Sequence, residues 1–255
     1  MIPSAVRRAA AFAAALALSA CATHDPAPEA KAPPPDYAAI VAAPNRMEAD
    51  RTNDKRRQPE KLLAFYDVRP GMRVLDMGAT GGYNTELLAR AVGEGGLVYA
   101  HNSPFFLENF VKGRLAERMK RGTMGNVVPL AREFEDPVPP DLRNLDLVTF
   151  NFIYHDTAHL GVDRAKMNRA IFNALKPGGV YIVADHSAKA GAGANETKSL
   201  HRIEEALVRK EIEAAGFRYV GSADFLRNPA DPRELSVFKN TVPNDEFVLK
   251  FVKPR

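Results

Sequence analysis

The chain is poor in cysteine, in aromatic side chains and in net charge, and each shortage removes a class of function. Its 255 residues include one cysteine and no tryptophan. A single cysteine cannot close an intrachain disulfide or build a multi-cysteine zinc site. Aromatic residues make up 8% of the chain and the formal net charge is only +4. That is too weak a basic and stacking footprint for nucleic-acid recognition, so no nucleic-acid partner is expected. No apolar run reaches the roughly 20 residues a membrane-spanning helix needs. What remains, 45% hydrophobic and 26% charged residues, is the composition of an ordinary folded domain and excludes wholesale disorder.

The lone cysteine gains meaning from its position. Residues 1–20 carry Arg7 and Arg8, no acidic residue and a short apolar run from Ala9 to Leu18, the pattern of an export signal. Leu18-Ser19-Ala20-Cys21 resembles the bacterial lipoprotein box. By that resemblance the chain is cut before Cys21, which is lipidated and holds the protein on the membrane. Ala22 stands where an aspartate would favour inner-membrane retention, so the expected location is the cell envelope, on the outer membrane facing the periplasm. Residues 21–44 contain Pro26, Pro28, Pro33, Pro34 and Pro35 and read as an extended spacer. His24, within it, is read as solvated. Residues 45–255 form a single expected domain.

Within that domain strands and helices alternate. Period-2 and continuous apolar runs predict strands at 73–77, 97–101, 127–130, 145–153, 180–184, 217–225 and 246–252. Helical spacing is expected after Pro59 and over 85–92, 105–121, 164–175 and 199–215. Residues 230–244 are a polar excursion. This order predicts an α/β fold: a doubly wound, mainly parallel seven-stranded sheet with an antiparallel final strand.

In such sheets ligands bind beyond the carboxyl ends of the strands. The first strand ends in Asp76-Met77-Gly78-Ala79-Thr80-Gly81-Gly82. Glycines there permit a tight turn and a close backbone approach, and the following helix offers free N–H groups. With Val74 and Leu75 before it, this stretch resembles motif I of the class I S-adenosylmethionine-dependent methyltransferases. Leu145-Asp146-Leu147-Val148 resembles that family's fourth strand, and Leu175-Lys176-Pro177-Gly178-Gly179 its turn into the fifth. The blocks at 152–156, 184–187 and 200–203 resemble a group of exported bacterial members. The resemblance implies S-adenosyl-L-methionine as cofactor, with Asp76, Gly78, Ala79, Thr80, Gly82, Asn102, Asp136 and Asn151 around it, and transfer of a methyl group to a small-molecule or cell-envelope acceptor. Two positions depart from the family: Thr80 replaces a glycine, and Asn102 replaces the acid that binds the ribose hydroxyls. Asn102 keeps one carbonyl acceptor but lacks the second oxygen and the charge.

Histidines mark the acceptor side. His155-Asp156 follows the fourth strand and Asp185-His186 the fifth, so both imidazoles are expected at one cleft mouth. Histidine suits proton transfer near neutral pH, and a neighbouring carboxylate orients it. His155, with Asp156 and assisted by His186, is therefore the expected base. Metal ligation is the rival use: His155 and His159 have i,i+4 spacing, and Asp156, Asp185, His186 and His201 could complete a site. Thr157 and Gly161 make a loop equally consistent there, and no metal is expected. Arg46, Arg51, Arg56 and Arg57 precede the first strand, either as anion ligands or as a solvated charged helix. Two other functions remain open for this fold: an accessory binding protein of the envelope, and metal-assisted hydrolysis in the histidine cleft.

Overall fold

The computed structural model describes Met1 and residues 32–255. The leader, Cys21 and His24 fall outside the described residues. Three helices lead into the sheet: α1 (Tyr37–Ala42), α2 (Glu48–Arg57) and α3 (Pro59–Tyr66). Pro59 opens α3 at its first turn, where the missing N–H costs nothing. The Tyr37 hydroxyl donates to the Val68 carbonyl at 2.8 Å, pinning α1 to the end of α3.

Strands β1 (Arg73–Met77), β2 (Leu97–Asn102), β3 (Val127–Ala131), β4 (Leu145–Asn151), β5 (Leu175–His186), β6 (Arg218–Ala223) and β7 (Glu246–Val252) form one sheet in the order β3-β2-β1-β4-β5-β7-β6. Strands β1 to β5 pair in parallel, and β7 runs antiparallel to both β5 and β6. The expected seven-stranded sheet is present, with the antiparallel strand inserted beside β5.

Both faces of the sheet are covered, which explains its near-continuous apolar strands. Val74 on β1, Ile182 on β5 and Val248 on β7 pack beneath α3 and α4 (Tyr83–Val92) with Leu63 and Leu88. Their neighbours Leu75, Tyr181 and Leu249 point the opposite way, joining Met167 and Ile171 of α8 (Arg164–Ala174) and Ile212 of α9 (Glu205–Ala214). Alternate residues on each strand therefore serve two separate cores.

Two expected helices come out differently. Residues 105–121 form a short helix α5 (Pro104–Phe106), a π-helical turn at Leu107–Val111 and then α6 (Arg114–Met119). Lys112 and Gly113 between them take left-handed φ angles of 47° and 79°, which no α-helix tolerates. The helix expected from 199 begins only at Glu205, because Ile203 is held as a bridge to Ser187 and the Arg202 side chain is wholly buried. At β5 the ladder starts at Leu175, and an irregularity between Leu145 and Leu147 on β4 absorbs residues 176–179. The remaining helix, α7 (Tyr154–His159), follows β4 directly.

Candidate active site

The chain order reverses between β1 and β4, and the crevice at their carboxyl ends is where this topology binds ligands. A cleft lies there, walled by Asp76 to Thr80 after β1, Asn151 to Ile153 after β4, Tyr83 and Asn84 at the start of α4, and Arg57 at the end of α2.

The floor is built by Asp76. Its carboxylate accepts hydrogen bonds from Asn84 Nδ2 at 2.8 Å, Thr149 Oγ1 at 2.9 Å and Thr85 Oγ1 at 2.6 Å. Burial raises this carboxyl above its usual range, and the three donors partly offset that. Asp76 thus ties β1, β4 and α4 together. The turn above it is tight. A Cβ at Gly78 would stand 3.1 Å from the Ile153 side chain, and Gly78 sits at φ 60°.

Thr80 has φ 49°, an outlier for a β-branched residue. What holds it is Asn102, whose Oδ1 accepts the Thr80 N–H at 2.8 Å. Of the proposed cofactor residues, Asp76, Gly78, Ala79, Thr80 and Asn151 line the cleft, whereas Gly82, Asn102 and Asp136 do not. Gly82 opens α4 at φ 87° and is packed against Leu115. Asp136 lies on the surface, its carboxylate paired with Arg132.

Two buried donors in the cleft wall lack partners. Tyr66 donates its hydroxyl to Asn151 Oδ1 at 3.1 Å, which leaves Asn151 Nδ2 without an acceptor. Arg57 lies over the rings of Tyr83 and Phe152, each 4.9 Å from its guanidinium carbon. Its Nε has no hydrogen-bond partner, and burial together with the adjacent Arg56 charge lowers its pKa. A buried cation and an amide N–H facing one cleft fit a ligand carboxylate. Sequence reasoning placed Arg57 among four equivalent arginines. The structure separates them: Arg46 pairs with Asp54 at 2.7 Å, Arg56 with Glu246 at 2.5 Å, and Arg51 Nη2 donates to the Ala43 carbonyl at 2.7 Å.

Beside the cleft the histidines gather. His155 Nδ1 is 2.7 Å from Asp185 Oδ1, and its backbone N–H donates to Asp185 Oδ2 at 2.8 Å. Burial alone would lower the imidazole pKa, but Asp185 and Asp156 raise it to about 10. Burial in turn would raise the Asp185 carboxyl, yet the His155 charge and hydrogen bond hold it below its usual range. His201 Nδ1 stands 3.2 Å from His155 Nε2. His186 lies tilted against Phe152, ring centres 5.3 Å apart, and meets Glu246 of β7 at 3.0 Å, with its ring centre 5.7 Å from that of His155. The sequence paired His155 with Asp156; in the structure Asp156 Oδ1 lies 3.3 Å from Nε2, and the carboxylate that bonds the ring directly is Asp185. Phe152 and His201, like Thr80, hold positive φ angles, 60° and 54°. Such strained residues concentrate where surrounding structure fixes them for a purpose.

Comparisons with known proteins agree with this architecture. A family model described as protein-L-isoaspartate(D-aspartate) O-methyltransferase matches residues 33–107. A ubiquinone/menaquinone biosynthesis C-methyltransferase UbiE of Vibrio vulnificus is 33% identical over 121 residues, covering 47% of this chain and 43% of that protein. The chain therefore matches less than half the length of this curated relative. Among solved structures, a SAM-dependent methyltransferase from Aquifex aeolicus superposes with a TM-score of 0.59 at 21% identity, over 86% of this chain and 98% of the other. A sarcosine dimethylglycine methyltransferase, so named provisionally, from Galdieria sulphuraria gives 0.58 at 16% identity, over 80% and 86%. At these identities the structural likeness establishes the fold.

Proposed function

We propose that this protein, whose fold is that of the class I S-adenosylmethionine-dependent methyltransferases, binds S-adenosyl-L-methionine in the cleft between β1 and β4 and transfers its methyl group to a small-molecule or cell-envelope acceptor. The observation that carries this reading is the pair of partnerless donors, Arg57 Nε and Asn151 Nδ2, in the wall of a cleft that the glycine turn also lines. They suit the carboxylate of an amino-acid-bearing ligand. The turn from Gly78 to Thr80 presents backbone at the position where a nucleoside approaches in this topology. When bound, the cofactor supplies an electrophilic methyl group on a sulfonium.

The residues of this chain have two tasks. Arg57 and Asn151 orient the amino-acid end, while Asn102 keeps the Thr80 turn in the shape that receives the rest. His155, Asp156 and His186 are assigned to the acceptor side, where a hydroxyl or amine must lose its proton as the methyl arrives. With its pKa raised to about 10, His155 takes that proton only through its deprotonated fraction, so turnover should rise with pH. Phe152 touches both groups, its ring 4.9 Å from the Arg57 guanidinium carbon and 5.3 Å from the His186 ring centre.

The test is calorimetry of the full chain with S-adenosylmethionine and S-adenosylhomocysteine. Saturable binding of both is expected. No heat and no thermal shift with either at millimolar concentration would sink the reading. We also propose a lipid anchor at Cys21 with the domain on the periplasmic side of the outer membrane, supported by the Leu18-Ser19-Ala20-Cys21 sequence. Globomycin should then leave an uncut precursor, and an unchanged band pattern would count against the anchor.

A further inference from the structure

We propose that His155 Nε2, Asp156 Oδ1 and His201 Nδ1 form a binding site for one divalent transition-metal ion of the zinc class, with a fourth position open to a ligand oxygen. These three atoms converge: His155 Nε2 is 3.3 Å from Asp156 Oδ1 and 3.2 Å from His201 Nδ1, and the last two are 3.6 Å apart. All lie within 4.8 Å of one another. A tetrahedral ion with bonds of about 2.0–2.1 Å sets its ligands about 3.4 Å apart. The observed edges bracket that value. As hydrogen bonds they make less sense. Asp156 Oδ1 has three imidazole nitrogens around it, at 3.3, 3.6 and 3.7 Å, the last being His159 Nε2. All three exceed a normal N–H···O length.

The surroundings are those of a built site. His155 Nδ1 is engaged by Asp185, the carboxylate–histidine arrangement that orients an imidazole and fixes which nitrogen faces a metal. Asp156 and His159 lie on one turn of α7, and the helix that the sequence left undecided is present. His201 is held at φ 54° by its neighbour Arg202. That guanidinium is fully buried, meets Asp231 at 2.9 Å, and donates to the carbonyls of Ser187 and Leu235 at 3.0 Å each. The charge also balances: two carboxylates, Asp156 and Asp185, against one divalent cation. The side chain of His155 is 4% exposed and that of His201 29%, so the open vertex faces outward past His201. Three nitrogen and oxygen ligands with one free position are the donor set of catalytic rather than structural zinc.

Where the methyl-transfer reading also holds, the open vertex would take the oxygen of a hydroxyl-bearing acceptor. Metal coordination acidifies such a hydroxyl, and its proton passes to water. The oxygen then forms the new O–CH3 bond as the C–S bond breaks, with the electron pair leaving on sulfur.

The experiment uses the full chain purified without a histidine tag and stripped with a chelator. Cobalt(II) is titrated while visible absorption is followed, and zinc is then used to displace it. One equivalent should bind, with the strong ligand-field bands of a low-coordinate site, and one equivalent of zinc should remove them. His201→Gly should abolish the bands while leaving the metal-free protein at least as stable, since glycine accepts φ 54°. Asp185→Asn should weaken affinity by about 10–100-fold, the usual cost of removing an orienting partner. Substoichiometric binding by the wild type, or equal affinity in wild type and His201→Gly, would overturn the proposal. Calorimetry with S-adenosylhomocysteine on the same samples keeps the readings apart. Metal without nucleoside binding removes methyl transfer and leaves the site. Nucleoside without metal does the reverse.

Discussion

Asn102 Oδ1 accepts the Thr80 N–H at 2.8 Å, joining the end of β2 to the strained turn after β1. The two positions at which the sequence departs from the methyltransferase motifs it resembles, Thr80 and Asn102, are thus partners of each other. Replacing Asn102 by Ala leaves the part-buried Thr80 N–H without its acceptor, at a cost of about 1–3 kcal/mol at most. Thermal stability and nucleoside affinity should fall together. Asn102→Asp keeps the acceptor and adds a second, charged oxygen for a ribose diol. S-adenosylhomocysteine should therefore bind more tightly to Asn102→Asp than to wild type in calorimetry, and unchanged or weaker binding would mean that the β2 end does not meet a ribose.

Arg57 provides the cleanest discrimination within the cleft. A hydrogen bond to a charged group contributes about 1.5–3 kcal/mol, or roughly 10–150-fold in affinity. Arg57→Ala should weaken S-adenosylhomocysteine by that factor. It should leave methylthioadenosine, which lacks the amino-acid arm, nearly unchanged. Equal losses for both ligands would show that Arg57 shapes the cleft without touching a carboxylate.

Arg118 holds the wall behind the glycine turn. Its guanidinium bonds both oxygens of Asp50 on α2, Glu86 of α4 at 2.8 Å and the Gly81 carbonyl at 2.7 Å. Arg118, Asp50 and Glu86 are all buried. Removing one member of such a network strands the others, at about 3–5 kcal/mol. Arg118→Ala should lower the denaturant midpoint accordingly. Arg118→Lys, which keeps the charge but loses the fork, should recover only part of it.

The sheet and the glycine turn were legible in the sequence because they rest on local signals: apolar runs, Gly and Pro punctuation, and the regular alternation of strand and helix. The site was legible in its parts but not in its pairings. Asp185 and His155 lie 30 residues apart, and only the parallel register of β4 on β5 brings them together. Adjacent in sequence, Asp185 and His186 turn to different partners, because alternate residues on a strand face opposite sides: His186 meets Glu246 of β7. The broken helix at Lys112-Gly113 and the late start of α9 also escaped. The first turns on the left-handed backbone at Lys112 and Gly113; the second depends on a tertiary anchor, the buried Arg202, that overrides a good helical pattern. Arg57 was hidden among three other arginines until Asp54, Glu246 and the Ala43 carbonyl were seen to engage the rest.

The structure also predicts an acid limit on stability. His101 at the end of β2 is fully buried, and its Nε2 lies 2.9 Å from the Arg132 carbonyl. In the neutral ring Nε2–H donates to that carbonyl, while Nδ1 has no partner. The Phe134 ring packs edge-on at 5.3 Å. Burial pushes the pKa down to about 4, against hydrogen bonding to the backbone at 132 and 133 and with help from the Arg132 charge. The unfolded chain protonates near the ordinary imidazole value of 6.5. Between these two values the unfolded state binds the proton and the folded state does not, so stability rises with pH across that window. The contribution is complete above pH 6.5 and is lost as pH falls to 4, amounting to about 3 kcal/mol at most. His101→Asn removes the titration while keeping an N–H donor. Urea unfolding of both proteins at pH 7, 5.5 and 4.5 should show their stabilities converging as pH falls. A gap that stays constant with pH would mean that His101 is protonated in the folded protein as readily as in the unfolded chain.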